Sequence, residues 1–229
     1  MMNKFKKAVT FSYDDGCVSD IRFIELLNKY NLKCTFNLNS GNMKADRVWN
    51  YNGFDVYNLP PDEMKEIYEG HEIACHGTKH LKPVGLTDEE LVKEFDEDVK
   101  NLENLFGTKI VGMAYSYGTN DDKTVEHLKK IGLKYGRGAD STKDFSIQSD
   151  LMRFKPSCRH RDEDIFETIE KFLKIESDEP QILYMWGHTY EMDAFGSWKE
   201  VEKMLEKLAG HNDILYGTNA EVFGYFNLI

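Results

Sequence analysis

The sequence predicts an α/β fold in which about seven parallel strands alternate with helices. Short apolar runs recur along the whole chain, and longer segments with helical periodicity separate them. Alternation of this kind is typical of parallel strands joined by helical crossovers, arranged either as a barrel of β/α units or as an open, doubly wound sheet. No internal repeat or Pro/Gly/Ser-rich linker interrupts the pattern, so residues 1–229 are expected to form a single domain.

The short apolar runs are the candidate strands of this fold. They comprise residues 8–12, 34–38, 72–75, 110–114, 134–137, 182–186 and 214–216. The segments between them and after the last have the length and periodicity of helices. They comprise residues 20–30, 61–69, 87–106, 122–131, 162–174, 198–208 and 220–226.

The first three of these helices carry the clearest local signals. The first has an apolar stripe, formed by Ile21, Ile24 and Leu27, that is expected to face a core. The second has a proline in its first turn and is followed by a glycine, which is the usual asymmetry of helix ends. The third opens with a capping box of Thr87 and Glu90 and also ends before a glycine.

Composition excludes several classes of function. The chain has 40 acidic and 29 basic residues, a net charge of −11, which argues against binding to nucleic acids or anionic membranes. It has no apolar run of membrane-spanning length and no apolar segment of a signal peptide near its start. The four cysteines form no CxxC pair. We therefore expect reduced thiols and a cytoplasmic location, although a secreted chain without its signal would look the same.

Polar residues follow three of the predicted strands. The carboxyl ends of parallel strands form the edge of the sheet at which the active sites of α/β folds lie. Asp14 and Asp15 follow the first strand and precede Gly16. Adjacent carboxylates at a strand end point in different directions, so one can hold a metal ion while the other meets a water molecule. The same Asp-Asp-Gly sequence is also common in solvated turns.

Three histidines follow later strands. His76 and His80 come after the third strand, at a spacing that lets two imidazoles bind one metal ion, although such pairs also occur by chance. His188 comes after the sixth strand, where a lone histidine is more often structural. One carboxylate and two imidazoles leave positions open for water, as in catalytic zinc sites. A second carboxylate as base and a distant histidine as acid would complete a site for metal-assisted hydrolysis of an amide or ester.

The order and spacing of these residues resemble the NodB-homology polysaccharide deacetylases, carbohydrate esterase family four. The motifs that carry the resemblance are Tyr13-Asp14-Asp15-Gly16 and Gly70-His71-Glu72-Ile73, followed by His76 and His80. The resemblance extends from about residue 6 to the C-terminus. It implies a distorted barrel of β/α units, one divalent metal ion and the removal of acetyl groups from an acetylated carbohydrate.

The resemblance also implies roles for single residues. Asp14 would be the general base, and His188 would match the general acid. Tyr117 matches the position whose backbone N–H helps to hold the oxyanion. The metal ligands would be Asp15, His76 and His80. Two imidazoles and a carboxylate favour zinc, with cobalt, nickel and iron as alternatives.

The chain departs from the family pattern in two places. The third motif usually begins Arg-Pro-Pro, whereas here the aligned residues are Ala114, Tyr115 and Ser116, so the arginine that steadies the base is missing from its place. Arg137, after the fifth strand, is the candidate replacement. The rival arginines, each of which could be a surface cation, are Arg153, Arg159 and Arg161. In the second motif, Gly77 follows His76 and displaces the usual polar residue.

Residues near the predicted site are candidates for contact with a sugar, although aromatic residues more often belong to the core. The expected substrate contacts are Tyr115, Tyr190, Trp186 and Glu191, and Trp49 and Trp198 are further aromatic candidates. Glu191 or Asp193 could instead raise the pKa of His188. Residues 39–53, which are polar and lack a clear period, are expected to form a loop at the edge of the substrate site.

Three functions remain open from the sequence. The first is a metal-dependent deacetylase acting on a carbohydrate, with N-acetyl favoured over O-acetyl groups and a soluble oligosaccharide or small metabolite favoured over a cell-wall polymer. The second is a hydrolase of a non-sugar amide, similar to allantoinases, that uses the same site. The third is a sugar-binding module with a vestigial site, which the missing motif arginine keeps open. The sequence leaves the oligomeric state undetermined.

Overall fold

A parallel β-sheet forms the centre of the protein in the computed structural model, which describes residues 4–44 and 46–229. The strands are β1 (Lys7–Asp14), β2 (Cys34–Leu38), β3 (Val48–Tyr51), β4 (Phe54–Tyr57), β5 (Glu72–Cys75), β6 (Gly112–Ala114), β7 (Tyr135–Arg137), β8 (Cys158–Arg159), β9 (Gln181–Gly187) and β10 (Ile214–Tyr216). Eight of them form the main sheet in the order β7-β6-β5-β2-β1-β9-β8, with β10 also paired to β1. β3 and β4 form a separate hairpin.

The two longest strands of the sheet, β1 and β9, lie side by side at its centre. Their pairing is parallel over seven positions, and every residue of β9 is buried. Near-continuous burial is expected of parallel strands that are covered on both faces. All pairs within the main sheet are parallel, and the expected distorted barrel of β/α units is confirmed.

Helices connect most of these strands. They are α1 (Ser19–Lys29), α2 (Pro61–Ile67), α3 (Asp88–Leu91), α4 (Glu97–Phe106), α5 (Asp122–Lys130), α6 (Ile165–Lys174), α7 (Tyr190–Ala194), α8 (Trp198–Leu208) and α9 (Asn219–Tyr225). The predicted capping box of Thr87 and Glu90 opens α3, and Gly107 ends α4 with a left-handed φ of 71°. The helix predicted over residues 87–106 is not uniform, because a π-helical stretch, Val92–Asp96, joins α3 to α4.

The expectation of a loop over residues 39–53 is wrong in part. The segment holds a 3₁₀ turn, Ser40–Asn42, and then β3, which pairs with β4 in an antiparallel hairpin. Asn52 and Gly53 turn the hairpin, with φ values of 50° and 83°. Asn-Gly between two strands is the strongest short hairpin signal, because both positions tolerate the left-handed backbone, so the sequence did contain this information.

The sheet brings four polar strand ends to one edge. Asp14 is the last residue of β1, and Arg137 is the last residue of β7. His76 follows β5 directly, and His188 follows β9 directly. Since all these strands run in the same direction, their carboxyl ends share one side of the molecule.

Two further sequence expectations can be compared with the structure. All four cysteines are free and buried. Among the described residues, no helix has the combined length and apolar character needed to cross a membrane.

Candidate active site

The carboxyl edge of the sheet contains a pocket of about 460 Å³. Each of the predicted catalytic and metal-binding side chains reaches its surface. The lining includes Asp14, Asp15, His76, His80, Tyr117, Arg137 and His188. Residues from four separate strand ends and two loops therefore meet in one cavity, as the parallel topology predicts.

Asp15, His76 and His80 form a group suited to a metal ion. Their potential ligand atoms all lie within 4.8 Å of one another. The Asp15 Oδ1 atom is 3.7 Å from His76 Nε2 and 3.8 Å from His80 Nε2. In tetrahedral zinc sites, metal–ligand distances of about 2.0–2.2 Å place neighbouring ligand atoms about 3–4 Å apart, which these separations match.

The orientation of His76 supports the same assignment. Its Nδ1 atom lies 2.8 Å from the Ala114 carbonyl oxygen, which fixes the ring and places the hydrogen on that nitrogen. Its Nε2 atom is buried and has no hydrogen-bond partner within the described chain. A buried nitrogen lone pair without a donor is costly, and a metal ion would satisfy it. The donor set thus fits a divalent ion.

The loop that carries both histidines is held by two buried carboxylates. Asp98 accepts hydrogen bonds from the backbone N–H groups of His76 at 3.2 Å and Gly77 at 3.1 Å. Glu94 accepts from the N–H groups of Lys79 at 3.2 Å and Leu81 at 2.8 Å. Both acids lie in the stretch from the π-helical turn to α4, so this helical segment fixes the histidine loop.

Gly77 explains one departure from the expected family motif. Its φ is +82°, and a Cβ atom there would lie 2.3 Å from the Glu94 carboxylate. Both facts disfavour a larger residue at this position. The backbone at Gly77 therefore packs closely against Glu94, which explains why glycine and not a polar residue follows His76.

Three residues of the site have a strained backbone. Asp15, His80 and Tyr117 have φ values of 80°, 60° and 60°. Left-handed conformations are uncommon outside glycine and often mark functional sites. Two of these residues belong to the metal group, and the third lies beside it, since the Tyr117 ring centroid is 4.8 Å from that of His80.

Asp14 has one oxygen bound within the protein and one directed at the site. Its Oδ1 atom accepts from Asn37 Nδ2 at 2.8 Å and from the Arg137 guanidinium. Its Oδ2 atom lies 3.8 Å from His188 Nε2 and 4.0 Å from His76 Nε2. Burial raises the pKa of Asp14, but the charge of Arg137, together with His76 and His188, outweighs it and lowers the pKa below its usual value.

Arg137, the candidate partner of Asp14 from the sequence, lies beside that carboxylate. It is almost fully buried, pairs with Asp14, and stacks on Trp186 with 4.8 Å between guanidinium carbon and ring centroid. The rival arginines bind elsewhere. Arg153 pairs with Asp150 and Asp122, whereas Arg159 and Arg161 pair with Glu191.

His188 is held between two acidic groups. Its Nε2 atom faces Asp14, and its Nδ1 atom lies 3.5 Å from Glu191 Oε2. Burial lowers the pKa of His188, but contact with Glu191 and the charges of Asp15 and Asp14 raise it above the usual value. Burial likewise raises the pKa of Glu191, but His188, His160 and Arg159 bring it down to about 2. The geometry therefore favours an imidazolium beside an ionised Glu191.

Comparison with known proteins identifies the family. The family model described as polysaccharide deacetylase matches residues 2–136, more than half of the chain. This chain belongs to the polysaccharide deacetylase family. The NodB-homology resemblance seen in the sequence is thereby confirmed. No curated protein matches the chain significantly by sequence.

Solved structures share the fold at low sequence identity. The Xyl-CE4 domain of a multidomain xylanase from the hindgut metagenome of Trinervitermes trinervoides has a TM-score of 0.64 and 14% identity, over 97% of this chain and 92% of that one. A mutant of a CE4 family pseudoenzyme with restored enzymatic activity has a TM-score of 0.61 and 16% identity, over 94% and 67%. The Streptococcus pyogenes deacetylase PplD, in complex with acetate, has a TM-score of 0.51 and 20% identity. That match covers 57% of this chain and only 55% of PplD.

The structure corrects two assignments in this deacetylase-family site. Glu191 was expected to contact substrate, but its side chain is fully buried behind His188 and is absent from the pocket lining in the described chain. It binds Arg159, Arg161 and Tyr51 instead. Asp193 does not reach His188, because it accepts hydrogen bonds from Ser19 and Trp198.

The aromatic candidates divide into pocket and core. Tyr115, Tyr190, Trp186 and Trp49 line the pocket. Trp198, the first residue of α8, is buried and donates its indole hydrogen to Asp193. The Tyr115 hydroxyl donates to the Met152 carbonyl at 2.7 Å, so only its ring faces the cavity. Trp186 is 7% exposed and serves mainly as the surface on which Arg137 stacks. Trp49, on the hairpin, is the most open of these rings.

Sequence reasoning missed the buried residues whose hydrogen bonds position the side chains and the loop of the site. Asp98, Glu94 and Asn37 are buried and bind the loop or the base, and Tyr51 donates to Glu191 at 2.9 Å. Nothing in the local sequence distinguishes such residues from other polar residues of helices and strands. Asp98 carried one usable signal, since an acid on the core side of an amphipathic helix requires a buried partner.

Proposed function

We propose that this protein is a metal-dependent hydrolase that removes acetyl groups, N-acetyl groups in particular, from an acetylated carbohydrate. One observation carries the proposal. The Oδ2 atom of Asp14 faces both His188, at 3.8 Å, and the proposed metal ligand His76, at 4.0 Å, in a single pocket. A base, an acid and a metal-binding group around one cavity are the parts needed for hydrolysis of an acetyl bond.

Asp15, His76 and His80 would hold the metal ion. When bound, a divalent ion supplies positive charge that acidifies a neighbouring water molecule and polarises a carbonyl group. Zinc suits one carboxylate and two imidazoles best, and cobalt, nickel or iron can take the same ligands.

Asp14 would accept the proton of the attacking water at Oδ2. Its other oxygen is bound by Arg137 and Asn37, so the carboxylate cannot rotate without breaking both contacts. The pKa of Asp14 lies below its usual value, which keeps it ionised and ready to accept a proton at neutral pH. A positioned base of this kind contributes roughly 10²–10⁴ in rate.

His188 would donate a proton to the leaving group from Nε2. An amine departs poorly as an anion, so an N-acetyl substrate needs such a donor. Glu191 holds the imidazolium from behind, 3.5 Å from Nδ1. The backbone N–H of Tyr117 would donate to the oxygen that becomes negative, and one donor of this type is worth about 2.7–4 kcal/mol.

The test is acetate release by wild-type protein and by Asp14→Asn, with zinc content measured in both. We expect the wild type to release acetate from N-acetylated chitooligosaccharides after zinc loading. Asp14→Asn should retain zinc and lose about 10²–10⁴-fold in turnover, because the ligands remain and the base is gone. Asp178→Asn is the matched control, since Asp178 is exposed and lies outside the pocket lining.

Three outcomes would contradict this proposal. Full turnover by Asp14→Asn would remove Asp14 as the base. Absence of acetate release by zinc-loaded wild-type protein, together with hydrolysis of cyclic amides or ureides in the same panel, would assign the site to a non-sugar amide. Absence of both reactions would favour a binding module.

A further inference from the structure

Two cationic side chains line the pocket near its mouth. Arg47 lies just before β3 and is half-buried, and Lys79 lies in the histidine loop and is exposed. They come from separate segments of the chain, yet both face the cavity that contains the proposed catalytic groups. The proposed hydrolysis uses neither of them.

Neither cation is neutralised by the protein. The Arg47 guanidinium donates to the neutral Asn58 side chain at 3.3 Å. Within residues 4–44 and 46–229, no carboxylate lies within the 4.0 Å of an ion pair from either charged group. Glu94, the acid next to Lys79 in space, is engaged by the backbone N–H groups of Lys79 and Leu81 rather than by the ammonium group.

The other cations around the site have acidic partners. Arg137 pairs with Asp14, and Arg159 and Arg161 pair with Glu191. The carboxylates among the described lining residues are Asp14 and Asp15, which are committed to Arg137 and to the proposed metal ion. Arg47 and Lys79 therefore leave two positive charges on the wall of the pocket, where an acidic group of a bound molecule can pair with them.

We propose that the substrate is an acetamido sugar that carries an anionic group, a carboxylate or a phosphate, bound by Arg47 and Lys79. This inference rests on the proposed function and names its substrate class. Arg47 has most of its five N–H donors available for a planar or tetrahedral oxyanion, and Lys79 adds a point charge. Trp49 lines the same pocket and offers a ring face to the sugar.

The test compares ligands that differ only in charge. N-Acetylglucosamine, its 6-phosphate, its 1-phosphate and its 6-carboxylate are titrated by isothermal titration calorimetry into zinc-loaded Asp14→Asn, the background for all variants, which should bind these ligands without appreciable hydrolysis. We expect at least one anionic ligand to bind about tenfold more tightly than the neutral sugar, since charge-assisted hydrogen bonds supply this much. The two phosphates and the carboxylate distinguish which anion, and which position, the cations recognise.

Variants assign the preference to the two side chains. Arg47→Gln and Lys79→Gln should each lose several-fold of the preference, and the double variant should lose all of it, while affinity for N-acetylglucosamine stays unchanged. Lys82→Gln is the matched control, because Lys82 is an exposed lysine of the same loop that lies outside this pocket. Zinc remains in all these variants, so an anion bound to the metal would keep its preference in the double variant.

The inference is overturned if no anionic ligand binds more tightly than the neutral sugar, or if the preference survives in the double variant. Failure of the proposed function has a different signature. Acetate release without a charge preference removes only the inference, whereas an anion preference that depends on Arg47 and Lys79, without acetate release from any ligand, removes only the proposed function.

Discussion

Asp14 illustrates how one side chain can be fixed and still be available for chemistry. Its two carboxylate oxygens have different surroundings, with Arg137 and Asn37 on Oδ1 and the two histidines on the side of Oδ2. The usual motif arginine is absent, yet a guanidinium from the end of β7 reaches the same carboxylate. Arg137 therefore pairs with Asp14 although it stands at a different place in the sequence from the usual motif arginine.

The Asp14–Arg137 pair gives a stability prediction. Arg137→Met should lower the free energy of unfolding by about 3–5 kcal/mol, because it leaves Asp14 charged and buried without its main partner. Asp14→Asn combined with Arg137→Met should recover much of this loss, since the unpaired charge is then gone. Urea unfolding of the metal-free proteins measures both.

Arg153→Met is the control for that experiment. Arg153 pairs with exposed Asp122 and Asp150, so its loss should cost about 1 kcal/mol or less. Destabilisation of the double variant at Asp14 and Arg137 by the sum of the two single changes would show that the two side chains do not stabilise each other.

At the scale of elements, the loop that carries the proposed metal ligands His76 and His80 is held by α4, a helix that supplies no ligand itself. Asp98 in α4 accepts backbone hydrogen bonds from His76, Gly77 and also Ser40, at 3.2, 3.1 and 2.7 Å. It thereby links the end of β5 to the turn after β2. These hydrogen bonds hold both connections in place beneath His76 and His80.

Asp98→Ala should therefore weaken zinc binding about 10–100-fold, because partners of this kind orient the ligands. Asp98→Asn should have a smaller effect, since it retains one acceptor oxygen. Competition titration with a chromophoric chelator measures the dissociation constants. Exposed Glu97 is the adjacent control, and a loss of affinity in Glu97→Ala as large as in Asp98→Ala would count against the orienting role.

Asp20 joins three helices at a buried point and gives a pH prediction. This residue of α1 accepts hydrogen bonds from Tyr68, just after α2, at 2.6 Å and from Thr189, just before α7. Burial raises the pKa of Asp20 from 3.8 to about 7, despite the opposing effect of these hydrogen bonds. Between these two values the folded protein holds a proton that the unfolded chain has released, so rising pH favours unfolding.

The stability of the wild type should consequently fall, relative to Asp20→Asn, as the pH rises from about 4 to about 7, and the difference should be constant above that range. Urea unfolding of both metal-free proteins at several pH values measures the difference, from which the titration of other groups cancels. Asp178→Asn should show no such trend. A pH-independent difference for Asp20→Asn would show that the carboxyl is not protonated in the folded state.

At the scale of the whole molecule, the sequence predicts the strands, which follow from apolar periodicity, and the site residues that stand at the strand ends. All seven predicted strands are present, because buried parallel strands leave continuous apolar runs. The elements that were missed are short, as with Cys158–Arg159 and Tyr190–Ala194, or belong to the hairpin whose Asn-Gly turn was not used. Burial of Glu191 behind His188 arises from tertiary contacts with Arg159 and Arg161, which no local pattern encodes.

The proposed metal ion would couple these separate parts and stabilise the whole fold. Asp15 follows β1 and the two histidines follow β5, so an ion held by all three bridges strands that are separated in the sheet by β2. Because only the folded chain assembles the site, zinc at about 100 times its dissociation constant should add about 2.7 kcal/mol to the free energy of unfolding and raise the melting temperature by several degrees.

His80→Asn should lose this increase while melting near the metal-free wild type, since asparagine tolerates the left-handed backbone at φ 60° and is a poor zinc ligand. His211→Ala, which changes a histidine outside the pocket lining, should keep the full increase. Differential scanning calorimetry with zinc and with a chelator decides the matter, and an equal zinc-dependent shift in His80→Asn would mean that the ion binds elsewhere.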